Sequence, residues 1–191
     1  MLQFLLIRPG STEYDRQGRI QGTLDIPLND AGCRQVARVA DDLKSQPITA
    51  LYVTPCQSAQ QTGQAIAESI HLKPKKLDKL HNLDQGLWQG MLVEDVKTKQ
   101  PKVYRQWREQ PELVCPPGGE MLGTARERVR QVIGRLLKKH KEGMVAMVVP
   151  EPMASVVCNV LRQDALTDLW GNGDGSRWET ITVQPDAAVC E

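Results

Sequence analysis

Two side chains of opposite charge follow two short apolar runs of this 191-residue chain. Arg8 comes directly after the run Leu2–Ile7, and Glu151 comes shortly after the run 144–149. A guanidinium group binds a phosphate or a carboxylate through two parallel hydrogen bonds. Arg8 is therefore a candidate anion-binding residue. Glu151 is either its internal partner or a carboxylate that points to solvent.

The residue after Arg8 cannot take part in covalent chemistry. Pro9 has no free side-chain lone pair, no exchangeable proton and no charge, so no phosphorylated intermediate can form on it. A proline also favours extended geometry for the residue before it, which suits Arg8 at the end of a strand. The presence of Pro9 therefore indicates that the strand ends in extended geometry and that position 9 carries no nucleophile.

Apolar patterning predicts the elements that position these residues. Three short runs, bounded by Pro or Gly, are typical of strands buried on both faces of a parallel sheet, and each is followed by a segment with helical spacing. The runs are Leu2–Ile7, Ile48–Val53 and 144–149, and the helical segments are 31–43, 58–70 and 153–161. This alternation predicts a doubly wound α/β fold, in which ligands bind beyond the carboxyl ends of the strands.

The rest of the chain predicts one further long helix, two short helices and a half-exposed strand. These lie at 120–141, at Val93–Lys99 and 103–109, and at Trp178–Val183 after a glycine-rich turn at 171–175. Prolines interrupt the regularity between Pro74 and Gly119, which lie between the second and third apolar runs. We therefore predict a single domain over residues 1–191, with an irregular helical insertion at about 81–119 that covers one end of the sheet.

Composition excludes several functional classes. The chain is 40% hydrophobic and 25% charged with a formal net charge of +1, which predicts no binding to nucleic acid or to an anionic membrane. Its five cysteines are scattered without metal-ligand spacing, which indicates a reducing compartment. The N-terminal apolar run is too short for a signal peptide. We expect a cytoplasmic protein with neither a cofactor nor a bound metal.

Five ordered segments carry a resemblance to a known family. They are Arg8-Pro9-Gly10-Ser11-Thr12, Gln21-Gly22-Thr23-Leu24-Asp25-Ile26-Pro27-Leu28, Thr54-Pro55-Cys56-Gln57-Ser58-Ala59-Gln60-Gln61-Thr62, Asn82-Leu83-Asp84-Gln85-Gly86-Leu87-Trp88-Gln89-Gly90 and Pro117-Gly118-Gly119-Glu120. With them, the chain resembles the phosphoglycerate-mutase-like branch of the histidine phosphatase superfamily from Leu5 to Val183. The resemblance implies a three-layer α/β/α sandwich with a mostly parallel sheet.

The resemblance also implies a phosphate pocket, in which most catalytic positions are changed. In the family, two arginines hold the phosphate, one histidine attacks phosphorus, a carboxylic acid protonates the leaving oxygen and a second histidine stabilises the transferring group. The corresponding positions here, which we describe as a vestigial phosphate pocket, are Arg8, Pro9, Asp15, Ser58, Asn82 and Glu151. Pro9 and Glu151 stand at the two histidine positions, and Arg8 alone is retained from the catalytic set.

The other three exchanges alter charge or proton transfer. Ser58 stands at the second arginine and brings no charge, and Asn82 stands at the acid and cannot deliver a proton. Asp15 matches a phosphate-contacting asparagine of the mutases more loosely and adds negative charge. Cys56 near the pocket is either a substitute nucleophile or, as we favour, a small hydrophobic residue in place of leucine.

These exchanges lead to three functional hypotheses. The first is that the chain is not an enzyme but a pseudophosphatase, kept to bind an unknown protein or small-molecule ligand or to regulate an active relative. The alternative is a phosphatase or phosphomutase that acts on a small phosphorylated substrate through non-standard residues. The third is a structural subunit that forms a homodimer. Simultaneous loss of nucleophile, acid and cation favours the first, because such losses cost on the order of 10⁴- to 10⁶-fold in rate.

Overall fold

The computed structural model describes residues 1–163 and 177–183. Within them, one sheet contains β1 (Leu2–Ile7), β2 (Ile48–Val53), β3 (Lys75–Lys76), β4 (Gly143–Val148) and β5 (Trp178–Val183). The strand order is β3-β2-β4-β1-β5, and β5 alone among these strands runs antiparallel to its neighbour. The carboxyl ends of β1 and β4 therefore lie side by side, and the start of β5 meets the end of β1.

Helices cover both faces of the sheet. The α-helices of the described residues are α1 (Glu13–Gln17), α2 (Asp30–Leu43), α3 (Gln57–Ile70), α4 (Val93–Lys99), α5 (Pro101–Glu109), α6 (Leu122–Lys139) and α7 (Met153–Arg162). Alternate residues of β1 face opposite layers, because Leu5 and Ile7 pack with α2 and α3 while Phe4 and Leu6 pack with α6 and α7. The predicted three-layer α/β/α sandwich with a mostly parallel sheet is confirmed.

The loop after β1 lies directly on the start of α2. The side chain of Asn29 caps this helix by accepting a hydrogen bond from Gly32 N at 2.8 Å. A Cβ atom on Gly10 would lie 2.6 Å from the carbonyl oxygen of Gly32, so a larger residue at position 10 would push the loop off the helix. This close approach holds the residues after Arg8 in place at the edge of the sheet.

Short helices and turns occupy the region in which an insertion was predicted. Its apolar side chains form a separate buried cluster of Ile20, Trp88, Val96, Trp107 and Val114. Hydrogen bonds from Ile20 N to Met91 O at 2.9 Å and from Gly90 N to Ile20 O at 2.8 Å attach the region to the loop at 18–22. The single-domain organisation with an insertion at about 81–119 stays a prediction.

Most predicted element boundaries agree with the structure to within one or two residues. The helix predicted at 120–141 is shorter at both ends, since α6 spans Leu122–Lys139. Glu120 lies before α6, and its Oε2 pairs with Arg128 Nη2 at 2.8 Å. Neither α1 nor β3 was predicted, because five and two residues are too few to show an apolar period. The turn predicted at 171–175 lies outside the described residues. Among the described helices, none is long and apolar enough to cross a membrane.

Candidate active site

Arg8 is the centre of an ion-pair network at the end of β1. Its Nε donates to Glu151 Oε1 at 2.7 Å and its Nη2 donates to Glu179 Oε1 at 2.9 Å. Arg162 donates to the other oxygen of Glu179 at 2.5 Å. Burial lowers the pKa of Arg8, but the hydrogen bonds and charges of the two glutamates outweigh it and raise this pKa overall. The hypothesis that Glu151 pairs with Arg8 is confirmed.

The backbone and α7 together orient the carboxylate of Glu151. The helix begins at Met153, so Glu151 lies one residue before the N-cap, Pro152. Its Oε2 still accepts from Ser155 N at 3.1 Å and from Ser155 Oγ at 2.8 Å, as a capping carboxylate does. One oxygen of Glu151 therefore caps the helix while the other contacts Arg8.

Glu179 has a similar double role on β5. Burial raises its pKa, whereas hydrogen bonds from Arg8 and Cys158 and the charges of Arg8 and Arg162 lower it by more, so the net change is downward. Burial and the charge of Glu179 raise the pKa of Cys158 to about 12. The Cys158 thiol is therefore protonated at neutral pH, and it donates to Glu179 Oε1 at 3.4 Å.

A second arginine lies beside Arg8. The amide of Arg8 donates to the carbonyl of Arg177 at 2.8 Å, which continues the pairing of β1 with β5. The Arg177 guanidinium reaches over the following loop, where Nη1 donates to Pro9 O at 2.9 Å and Nη2 donates to Ser11 Oγ at 2.9 Å. Nη2 also donates to Gln35 Oε1 at 2.7 Å. Pro9 thus contributes a backbone acceptor.

Ser58 and Asn82, which stand where the resembling family has its second arginine and its acid, are both buried. Ser58 is 2% exposed and its hydroxyl contacts Cys56 Sγ at 3.6 Å rather than Arg8. Asn82 Nδ2 donates to Gly22 O and to Glu151 O, each at 3.0 Å. Asn82 therefore fixes the backbone that carries Glu151, although its amide cannot transfer a proton.

Asp15 lies at the start of α1 and does not contact Arg8. Its Oδ2 accepts from Thr12 N at 2.7 Å and from Thr12 Oγ1 at 2.8 Å, while Asp15 N donates back to Thr12 Oγ1 at 3.2 Å. This reciprocal arrangement is a capping box. The carboxylate is therefore occupied by the helix start.

Reasoning from the sequence missed two residues of this site, Arg177 and Glu179. Arg177 lies directly before β5 and Glu179 is its second residue, and β5 was predicted as a strand without a partner or a direction. No local pattern in the sequence could have found them, because they meet the carboxyl end of β1 only through the antiparallel pairing of β5 with β1. The structure brings Arg8, Glu151 and Glu179 into direct contact and places Pro9 and Arg177 beside them.

Comparisons with known proteins give relatives and structural neighbours that are named phosphatases or a mutase-like protein. The chain is 32% identical to phosphoserine phosphatase 1 of Hydrogenobacter thermophilus, covering 96% of this chain and 88% of that protein. It is 29% identical to phosphoglycerate mutase-like protein 4 of Arabidopsis thaliana, covering 99% and 87%. The structure of mycobacterial glucosyl-3-phosphoglycerate phosphatase with VO3 superposes with a TM-score of 0.82 at 21% identity, covering 95% and 98%. This last likeness shows the shared fold.

The prediction that the chain is not an enzyme is wrong. It assumed that the family's chemistry requires its usual residue types at each motif position, so that their exchange removes activity. The relative that is 32% identical over 186 residues carries the name of a phosphatase, which points to an enzyme. The motif comparison also overlooked a cation beside Arg8, because Arg177 lies outside every motif that was compared.

The family itself follows from a match to most of the chain. Residues 4–175 match the model of the histidine phosphatase superfamily, branch 1. The strands β2, β3 and β4, most of β1 and the seven α-helices α1 to α7 fall within these residues. The chain therefore belongs to the histidine phosphatase superfamily.

Proposed function

We propose that this chain is a phosphatase that acts on a small phosphorylated substrate through a non-standard set of residues. The observation that carries the proposal is the contact of Arg8 with Glu151 at 2.7 Å, at the carboxyl ends of β1 and β4. This edge of an open α/β sheet is where ligands bind, and a cation beside a carboxylate offers both phosphate binding and proton transfer. The phosphatase name of a full-length relative supports the same reaction class.

The proposed reaction is a single displacement by water. Arg8 leaves its carboxylate partners to bind the phosphoryl oxygens, and the Glu151 carboxylate accepts a proton from the water that attacks phosphorus. The new oxygen–phosphorus bond forms as the ester bond breaks, and the leaving oxygen takes its proton from solvent. Pro9 cannot hold a phosphoryl group, so transfer between two substrate hydroxyls through a phosphorylated enzyme is excluded at this position.

The absence of an acid at position 82 restricts the substrate. Asn82 is 3% exposed and its amide nitrogen already donates to two backbone carbonyls, so it cannot protonate a leaving oxygen. A general acid contributes roughly 10²- to 10⁴-fold in rate, and a weakly basic leaving group needs little of this help. The preferred substrates are therefore aryl or acyl phosphates rather than alkyl phosphates.

Hydrolysis of two model esters tests the proposal. The purified chain should hydrolyse p-nitrophenyl phosphate, and should hydrolyse phosphoserine, an alkyl ester, roughly 10²- to 10⁴-fold more slowly. Arg8→Ser and Glu151→Gln should abolish both activities. Arg130→Ala and Glu127→Gln, which alter an exposed ion pair on α6, are the matched controls and should retain them.

Two outcomes would contradict the proposal. Turnover of p-nitrophenyl phosphate no faster than that of Arg8→Ser would exclude hydrolysis at this site. Equal rates for the two esters would mean that an acid is present, and the assignment of substrate class would then be wrong.

A further inference from the structure

We infer that Arg177 binds the phosphoryl group as the second cation of the site, in the role that an arginine at position 58 has in the resembling family. This inference rests on the proposed function, because it names the residue that completes the anion site of that reaction. The cation is supplied by the start of β5 instead of by α3. None of the five motif segments includes this position.

The position of Arg177 follows from the direction of β5. Because β5 is antiparallel to β1, the residue before β5 lies opposite the residue after β1, and Arg8 N bonds to Arg177 O at 2.8 Å. The two arginines are therefore cross-strand neighbours at the ligand-binding edge of the sheet. Ser58 cannot take this role, because its hydroxyl is buried against Cys56.

Among the residues that the structure describes, the hydrogen-bond partners of the Arg177 guanidinium are all neutral. Its guanidinium donates to Pro9 O, Ser11 Oγ and Gln35 Oε1. Over residues 1–163 and 177–183, no carboxylate forms an ion pair with it. A partly buried charge without a counterion is unfavourable, and an anion bound beside it would relieve that cost.

The surrounding charges support the same assignment. Burial lowers the pKa of Arg177, Asp15 opposes this effect, and the positive charge of Arg8 adds to it. Asp15 is the carboxylate whose charge acts on Arg177, but its Oδ2 accepts two hydrogen bonds from Thr12 at the start of α1. A phosphoryl group has oxygens enough to contact both arginines, and it would supply the negative charge that the described partners of Arg177 do not provide.

Binding of orthovanadate and of inorganic phosphate to the full chain tests the assignment. Arg177→Ala should weaken binding of both anions roughly 10- to 100-fold, because a hydrogen bond to a charged group is lost. Gln35→Glu is the sharper variant. Its carboxylate can still accept from Ser11 N and Arg177, yet it neutralises Arg177, so it should also weaken binding while the chain remains folded. Arg130→Ala should bind like the wild type.

The possible outcomes separate this inference from the proposed function. If Arg177→Ala and Gln35→Glu bind orthovanadate as tightly as the wild type, the inference is overturned, even if p-nitrophenyl phosphate is hydrolysed. If both variants bind weakly but the wild type hydrolyses nothing, the inference stands and the proposed function fails. Should Arg177→Ala fail to fold, Gln35→Glu alone decides. A wild type that binds neither anion would overturn the inference.

Discussion

Arg8 and Arg177 are cross-strand neighbours, yet their charges are balanced in different ways. Arg8 contacts two carboxylates at 2.7 and 2.9 Å, whereas Arg177 donates to a carbonyl, a hydroxyl and an amide oxygen. The first arrangement connects β1, β5 and α7 through opposite charges. The second holds the loop after β1 but, within residues 1–163 and 177–183, gives the positive charge of Arg177 no ion-pair partner. Arg8 must therefore break two ion pairs before it can bind a ligand, whereas Arg177, on our proposal, can bind one without breaking any.

Because of this difference, we expect removal of each arginine to change the stability of the fold by a different amount. When one member of an ion pair is removed, the remaining charges are left without compensation, which destabilises more than the pair itself stabilises. Loss of Arg8 would leave Glu151 and Glu179 facing each other. Loss of Arg177 would remove three hydrogen bonds but would also relieve an unbalanced charge.

The largest predicted effect is therefore on folding stability. Arg8→Ala should lower the free energy of unfolding by about 2–3 kcal/mol, because its partners are only partly exposed to solvent. Arg177→Ala should lower it by about 1 kcal/mol. Urea denaturation at neutral pH measures both, with Arg130→Ala as the control for an exposed arginine. Equal losses for Arg8→Ala and Arg177→Ala would remove the basis of the comparison.

A smaller effect concerns acid pH and the carboxylate of Glu179. Its pKa is lower in the folded chain than its ordinary value of 4.5, so the unfolded chain binds more protons in this range. The stabilisation is therefore present above pH 4.5 and is lost as the pH falls from there through the folded pKa.

Urea midpoints measured from neutral pH to about pH 3 should decline less steeply for Glu179→Gln than for the wild type. Arg8→Ala should flatten the same part of the profile, since Arg8 provides the largest lowering effect on this pKa. The control Glu127→Gln changes an exposed carboxylate of α6. An unchanged acid profile in Glu179→Gln would show that Arg8 does not stabilise the ionised form.

The sequence predicted one half of the Arg8 network and missed the other. Glu151 could be paired with Arg8 because both follow predicted strands of a parallel sheet, whose carboxyl ends meet at one edge. Glu179 and Arg177 could not be added, because the pairing of β5 with β1 joins residues 171 positions apart at Glu179 and Arg8. Such a contact leaves no local period in the sequence.

The motif positions predicted the site only in part, because neighbouring groups form hydrogen bonds with some of the side chains at those positions. Asp15 matched a phosphate-contacting position, yet the nearer amide and hydroxyl of Thr12 bind its carboxylate. Asn82 was interpreted through the acid it replaces, whereas its amide connects two backbone carbonyls. The prediction of an inactive chain considered each of these positions separately. A relative that matches 96% of this chain and is named a phosphatase contradicts that prediction.

The smallest predicted effect comes from a substitution that gives Arg177 a carboxylate partner, which Arg8 already has. Gln35→Glu places a carboxylate where an amide oxygen now accepts from Arg177 at 2.7 Å, and should raise the free energy of unfolding by about 0.5–1 kcal/mol at neutral pH. The gain should disappear when the same substitution is made in Arg177→Ala, which a double-mutant cycle of urea denaturation measures. A gain that persists without Arg177 would have another origin. A loss of stability in Gln35→Glu would mean that Arg177 is already neutralised, so that the two arginines do not differ in charge balance.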